Sequence, residues 1–228
     1  MLSTKRVVPC LLATLFLILT ISSSFAATKA DDEQSIRNAT AVLQAMLSSK
    51  EVPSGVLSKA DCVIILPSVK KFAVGVGGSG GRGPMSCRSG DNYKGKWSPP
   101  AMYTIAGASA GLQIGGSSTD YVLLLMANKA VEAVVKGKAK IGGDMTAAAG
   151  PSGSTANTGS ADVLTYARSK GLFAGVSLDG STLDPDSDAN QRLYDQPASV
   201  HAIVRDNGVK PTAAGQALIT ELDSKLGK

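Results

Sequence analysis

Apolar residues recur three and four positions apart in the first well-patterned segment of the chain: Ile36, Ala39, Leu43, Met46 and Leu47. Asp31 and Asp32 stand just before this run, where they can cap a helix, and Pro53 ends it. The pattern predicts an amphipathic helix whose apolar side faces the core. Its acidic start argues against a direct role on anionic lipid.

Short runs of apolar and β-branched residues fill the middle of the chain and predict strands at 62–66, 71–76, 85–88, 101–106, 112–116 and 120–127. Residues 161–168 and 172–178 alternate as a β-hairpin around Ser169–Gly171. We expect Gly75–Gly83 to be a flexible hairpin-type loop and 147–160 to be a long loop.

Helical spacing returns at 128–135, between two of the predicted strands, and after the last strand at 186–194, 197–205 and 211–226. Strands in the middle with helices at both ends predict an α+β fold. We expect one compact domain over 27–228, with a central, mostly antiparallel β-sheet or barrel-like core flanked by N- and C-terminal helices.

The first 26 residues have the pattern of a secretory signal peptide. Lys5 and Arg6 form a basic start, Val7–Ile21 is apolar, and Ser24–Ala26 offers a small-x-small cleavage site. A membrane-spanning helix is the alternative, but Pro9 interrupts the apolar run. We therefore expect an exported protein that begins near Ala27, periplasmic or extracellular, and peripheral on a membrane.

Composition removes several classes of function. The chain is 43% apolar and 18% charged, which is too apolar for a disordered chain. One histidine and three cysteines exclude a multi-histidine metal site and a thiolate zinc site. We expect no cofactor. We also expect no nucleic-acid partner, because loss of Lys5 and Arg6 would leave a net charge of only +3.

Basic residues cluster around the glycine-rich segment. Six of them accompany a single acid, Asp91: Lys70, Lys71, Arg82, Arg88, Lys94 and Lys96. Such an asymmetry can attract anionic partners, phospholipid head groups among them. The other interpretation is a solvated face with scattered basic side chains, and the charge pattern leaves both open.

Two cysteines remain after the expected cleavage, Cys62 and Cys87. An oxidising compartment would allow them to form a disulfide. Alternatively, Cys62 is a small buried apolar residue within CVIIL and both thiols are free. The sequence does not decide between the two.

Two glycine motifs resemble catalytic or nucleotide-binding signatures. Gly75, Gly77 and Gly80 match G-x-G-x-x-G, but Gly81–Pro84 prevents the helix that a dinucleotide site needs. GASAG, from Gly107, matches the nucleophile elbow of serine hydrolases.

A serine hydrolase would use Ser109 as nucleophile, with Asp179 and His201 following in the chain order of an α/β-hydrolase. The elbow also requires a helix directly after the serine, whereas LQIGG reads as a strand. We expect no enzyme. A hydrolase, or a structural or interaction protein of the cell envelope, is the alternative.

A weak calcium motif lies in DPDSDANQRLYD, whose acids stand at positions 1, 3, 5 and 12: Asp184, Asp186, Asp188 and Asp195. An EF-type loop needs Gly at position 6 and Glu at position 12, where this chain has Ala189 and Asp195. Aspartates at a helix N-terminus are favourable without any metal. We therefore expect no metal site.

Five separated segments form a recognisable set in chain order. They are ADCVIILPSVKKFAVGVGGSGGRG from Ala60, WSPPAMYTIAGASAGLQIGGSSTDYVLLLM from Trp97, AAAGPSG from Ala147, YARSKGLFAGVSLDGSTLDPDSDAN from Tyr166, and Leu193-Tyr194. The set resembles the SYLF domain family of lipid-binding proteins, also called the actin-binding domain family of yeast cortical-patch proteins, and specifically its exported bacterial branch.

The resemblance implies a compact α+β domain that binds lipid and has no catalytic residues. Eukaryotic members of that family bind phosphoinositides, and some bundle actin. We therefore expect a non-enzymatic module for phosphoinositide-like anionic phospholipid, with the six basic residues as head-group candidates. Actin is not an expected partner of an exported chain.

Overall fold

The computed structural model describes residues 27–90, 93–152 and 160–226. Its helices are α1 (Lys29–Leu47), α2 (Ser54–Leu57), α3 (Asn128–Val135), α4 (Ser187–Tyr194), α5 (Val200–Val204) and α6 (Ala213–Leu226). Its strands are β1 (Cys62–Cys87), β2 (Ala101–Leu125), β3 (Ala139–Lys140), β4 (Ala147–Ala149), β5 (Val163–Ser169), β6 (Leu172–Gly175) and β7 (Thr182–Pro185). Within these residues, no helix is both long and apolar enough to cross a membrane.

The two longest strands, β1 and β2, form an antiparallel ribbon. The register runs from Cys62 opposite Leu125 to Met85 opposite Ala101. It shifts at two places, between Leu66 and Val69 and between Ala73 and Gly75. Such irregularities bend a strand and increase its twist, so they help the ribbon to curl.

The curl brings the two ends of β1 together. Cys62 and Cys87 form a disulfide, with their Cα atoms 4.0 Å apart. The Arg88 amide donates a hydrogen bond to the Asp61 carbonyl oxygen at 2.9 Å. Gly83 passes so close to the backbone of Ile65 that a Cβ atom there would collide with the Ile65 carbonyl oxygen. The curled sheet is therefore a half-barrel in which the two ends of β1 are joined to each other.

The other edge of β2 pairs with different strands at its two ends. Tyr103–Ala106 pairs with β7, which in turn pairs with β3. Asp120–Leu125 pairs with β5, whose far edge carries β4 and β6. β4 runs parallel to β5, so the sheet is mixed although most of its pairs are antiparallel.

Apolar side chains pack on both faces of this sheet. One core lies inside the curl and includes Ile64, Tyr103 and Leu123, with residues of α3 and α5 packed against them. The other includes Ile65 and Leu124 and lies against α1 and α6. The predicted α+β class, with a sheet or barrel-like core flanked by terminal helices, is confirmed.

Several local predictions were wrong. Gly75–Gly83 lies inside β1 as strand and is no hairpin loop, and the separate strands predicted at 62–66 and 71–76 belong to the same element. These glycines pair with residues 103–111 of β2, most of which are also small, so the two backbones can lie side by side as strands. The predicted loop at 147–160 contains β4, and β7 was not predicted.

The start of α1 also differs from the prediction. Thr28 is the N-cap, and it forms a capping box with Asp31. These hydrogen bonds from Thr28 lower the pKa of the Asp31 carboxyl below its usual value. Asp32 points inward and is fully buried.

Candidate functional site

Lys70 and Lys71 lie on β1 shortly after its first register shift, opposite Ser118 and Ser117 of β2. Both side chains are exposed. The ammonium of Lys71 lies 5.6 Å from the centre of the Tyr121 ring, which is within the range of a cation–π contact. In the part of the chain that the structure describes, neither lysine has an acidic side chain within 4.0 Å. Their charges are therefore available to an external anion.

Arg82 has an internal partner. Its guanidinium pairs with the buried carboxylate of Asp32 on α1, and it lies 4.0 Å from Asp186. Arg192 of α4 binds the same Asp32 carboxylate at 2.8 Å. The two arginines therefore join α1, β1 and α4 through one buried acid, and Arg82 is not a free head-group ligand.

Arg88 is buried as well. Only 2% of it is exposed, and its guanidinium lies 4.6 Å from the centre of the Trp97 ring. Burial lowers the pKa of the Arg88 guanidinium, while the nearby Asp223 and Asp61 oppose that shift. The Trp97 amide also donates to Asp223 of α6, at 3.3 Å. Arg88 thus fastens the β1–β2 connection to the core.

Lys94 and Lys96 are exposed on the connection between β1 and β2. This connection follows the Cys87 end of β1, whereas Lys70 and Lys71 lie near the middle of that strand. The six basic candidates therefore divide into two exposed pairs and two buried or partly buried arginines. The pair Lys70 and Lys71 is the candidate site.

The hairpin β5–β6 places two further exposed residues, Lys170 and Leu172, that were not among the predicted site residues. Its turn consists of Lys170 and Gly171, flanked by the paired Ser169 and Leu172. Leu172 is 65% exposed and is the one large apolar side chain found exposed where side chains are described. The sequence SKGL after an alternating strand indicates the turn but not the exposure of Leu172.

The calcium candidates have other partners. Asp186 caps α4 by accepting from the Ala189 amide at 3.0 Å. Asp184 lies 3.8 Å from Lys138, and Asp195 pairs with Lys29. Asp188 lies in the first turn of α4. Among the described residues, no three metal-ligating side chains converge.

The hydrolase motif lies in the wrong backbone context. β2 continues as strand through Gly107–Gly111, so the turn into a helix that an elbow requires is absent from this described stretch. The side chain of Ser109 lies outside the described part. His201 is exposed and contacts Asp206 at 3.2 Å, while Asp179 accepts from Ser177.

The fold is that of a small α+β domain, built on a curled sheet with a core on each face and exposed lysines on its long ribbon. The family model for Ysc84, described as a Las17-binding protein and actin regulator, matches residues 106–225. That match covers more than half of the chain. The chain belongs to the Ysc84 family, which is the SYLF domain family, and the resemblance expected from the sequence is confirmed.

Curated relatives agree with this assignment. The chain is 39% identical over 181 residues to human SH3 domain-containing YSC84-like protein 1, a match that covers 77% of this chain and 52% of the relative. It is 34% identical over 191 residues to an SH3 domain-containing protein of Schizosaccharomyces pombe, covering 80% and 43%. LAS seventeen-binding protein 3 of Saccharomyces cerevisiae is 32% identical over 182 residues, covering 76% and 39%.

The chain thus spans about half the length, or less, of these relatives. The name of the Saccharomyces cerevisiae protein states that it binds LAS seventeen. The expectation that actin is excluded as a partner finds no support in these comparisons.

Proposed function

We propose that this chain is a non-enzymatic module that binds anionic phospholipid through Lys70 and Lys71. The observation that supports it is the exposure of these two consecutive lysines, neither of which has an acidic partner among the described residues. Phosphate and carboxylate groups of lipid heads would supply the missing counter-charge.

Electrostatics sets the expected size of the effect. Each lysine near an anionic membrane surface contributes about 1 kcal/mol, and the attraction decays over about 8 Å at physiological salt. Two lysines therefore change the affinity roughly thirtyfold. Charge reversal adds repulsion to this loss.

The experiment is vesicle sedimentation with the double variant Lys70→Glu, Lys71→Glu. A matched control is Lys59→Glu, Lys210→Glu, which changes two other exposed lysines and alters the net charge equally. We expect the first variant to lose binding to phosphatidylserine-containing vesicles, and the control to keep most of it. Circular dichroism verifies that both variants fold. Equal loss in both would show that only the net charge matters and would contradict the proposed site.

A second candidate is a protein partner. The family description names Las17 binding and actin regulation, and the match runs from within β2 into α6 of this chain. We test it by co-sedimentation with filamentous actin in the absence of lipid. Saturable binding that the Lys70→Glu, Lys71→Glu variant retains would establish an actin surface separate from the lipid site.

We also propose that the chain is exported. The signal-like pattern of Met1–Ala26 lies outside the described residues, and the Cys62–Cys87 disulfide supports an oxidising destination. Intact-mass measurement of protein recovered from outside the cytoplasm should give a chain that begins near Ala27. A mass that includes Met1–Ala26 would contradict the proposal.

A further inference from the structure

The register of the sheet brings the β5–β6 turn level with Lys70. On β2, Asp120 lies opposite Arg168 of β5, and Ser118, two residues earlier, lies opposite Lys70 of β1. Two residues beyond Arg168 on the antiparallel strand is Lys170. Since neighbouring strands lie about 4.8 Å apart, two strand spacings, or about 10 Å, separate the backbone of Lys70 from the turn.

The turn itself has a defined shape. Lys170 and Gly171 have φ angles of 52° and 87°, so both lie in the left-handed region. Two left-handed residues between paired strand ends form the type I′ turn that closes tight hairpins. The turn therefore holds Lys170 and Leu172 at a fixed position at the end of β5.

Basic side chains outnumber acidic ones around the β5–β6 turn and the neighbouring part of the β1–β2 ribbon. The one acid on this stretch of β2, Asp120, lies 3.7 Å from Arg168 and also accepts a hydrogen bond from the Ser68 amide at 2.8 Å. Lys170, like Lys70 and Lys71, has no acidic side chain within 4.0 Å among the described residues. Three unneutralised lysines thus accompany one exposed leucine.

Lys70 and Lys71 project from opposite faces of the sheet. Lys70 and Lys71 are consecutive on a strand, so their side chains leave opposite faces. Lys71 contacts Tyr121 of the core inside the curl, which identifies its face. β5 ends beside these residues, whereas the β1–β2 ribbon continues past them. A partner that meets both lysines and the turn must therefore approach edge-on where β5 ends.

We propose that Lys70, Lys71, Lys170 and Leu172 form one membrane-contacting rim, in which Leu172 enters the apolar boundary of an anionic bilayer. This inference rests on the proposed lipid binding. An apolar side chain flanked by long basic ones suits that boundary, because lysines can keep their ammonium groups at the head-group level while leucine is buried.

The test places a fluorescent side chain in the turn. Leu172→Trp keeps an apolar group there, and the native Trp97 is buried and gives a constant background. With phosphatidylserine and phosphatidylcholine vesicles, we expect the Leu172→Trp emission to shift to the blue and to be quenched by lipids brominated on their acyl chains. The matched control is Lys210→Trp, at an exposed position between α5 and α6, for which we expect neither effect.

A second variant measures the contribution to affinity. Leu172→Ser should weaken binding to the same vesicles on the order of tenfold, as expected for loss of one buried leucine side chain. Wild-type binding combined with an unshifted Leu172→Trp emission and an unchanged Leu172→Ser affinity would overturn the rim but leave the proposed function standing. If the wild-type chain binds neither anionic nor neutral vesicles, both proposals fail.

Discussion

Gly83 is packed directly against the backbone of the other end of β1, at Ile65. A Cβ atom at this position would collide with the Ile65 carbonyl oxygen and crowd Pro67. Backbone cannot move aside as a flexible side chain can, so Gly83→Ala should destabilise the fold by about 2 kcal/mol or more. Chemical denaturation followed by circular dichroism measures this.

Gly80→Ala provides the control within the same strand. There a new Cβ atom meets only the Ile105 carbonyl oxygen, at 3.9 Å, which is an ordinary contact. We expect its denaturation midpoint to stay close to that of the wild type. Similar midpoints for the Gly80 and Gly83 variants would contradict the closure of β1 described above.

Asp32 supplies the only negative charge that both Arg82 and Arg192 contact within 3.5 Å in the described structure. Removing one partner from a buried ion pair typically costs about 3–5 kcal/mol. Since both guanidinium groups keep some contact with water, we expect Asp32→Asn to lower the free energy of unfolding by about 2–3 kcal/mol. Urea denaturation measures the change.

Glu33→Gln is the matched control on the same helix. Glu33 pairs with Arg37 one turn away at 3.4 Å, a surface pair worth about 0.3–0.5 kcal/mol. A loss from Asp32→Asn no larger than that from Glu33→Gln would show that the two arginines do not depend on the buried carboxylate.

At the scale of elements, the disulfide links the two ends of one strand. Cys62 and Cys87 are 25 residues apart, and the chain-entropy model gives a stabilisation of about 3 kcal/mol for a loop of this size. A reductant should therefore lower the melting temperature of the wild type. The double variant Cys62→Ala, Cys87→Ala should melt lower and should not respond to reductant. A wild type that is equally insensitive would mean that the bond contributes nothing to folding.

Elements with a strong local pattern were predictable. The helix over Asn128–Val135 has the predicted bounds, and the β5–β6 hairpin has the predicted turn. Both depend on spacing and turn chemistry within a few residues. The continuity of β1 was not predictable, because glycine and proline are depleted in strands. Nor was β7, whose partner Tyr103–Ala106 lies about 80 residues away in the chain.

The candidate site was predictable only in part. Clustering of basic residues pointed to Lys70 and Lys71, which are exposed. The same clustering could not separate them from Arg82, because its partner Asp32 belongs to another element 50 residues away. Leu172 escaped notice because a single apolar residue in a hairpin gives no sign of its exposure.

At the scale of the whole molecule, the helices bury their apolar residues against the sheet, whereas the residues around the β5–β6 turn are exposed. Residues of α1 and α6 are buried against one face of the sheet, and those of α3 and α5 lie inside the curl. The apolar side of α1 is therefore unavailable to a membrane in this fold. Binding would depend on Lys70, Lys71 and Lys170 around the β5–β6 turn, and hence on lipid charge and salt.

The most direct measurement is vesicle binding of the unmutated chain as a function of lipid charge and salt. The account predicts binding to phosphatidylserine-containing vesicles that rises with their anionic fraction and falls as salt shortens the Debye length. Neutral phosphatidylcholine vesicles should bind poorly at every salt concentration. Equal binding to both kinds of vesicle, insensitive to salt, would contradict lipid binding through Lys70 and Lys71. It would show that these lysines are merely solvated surface residues.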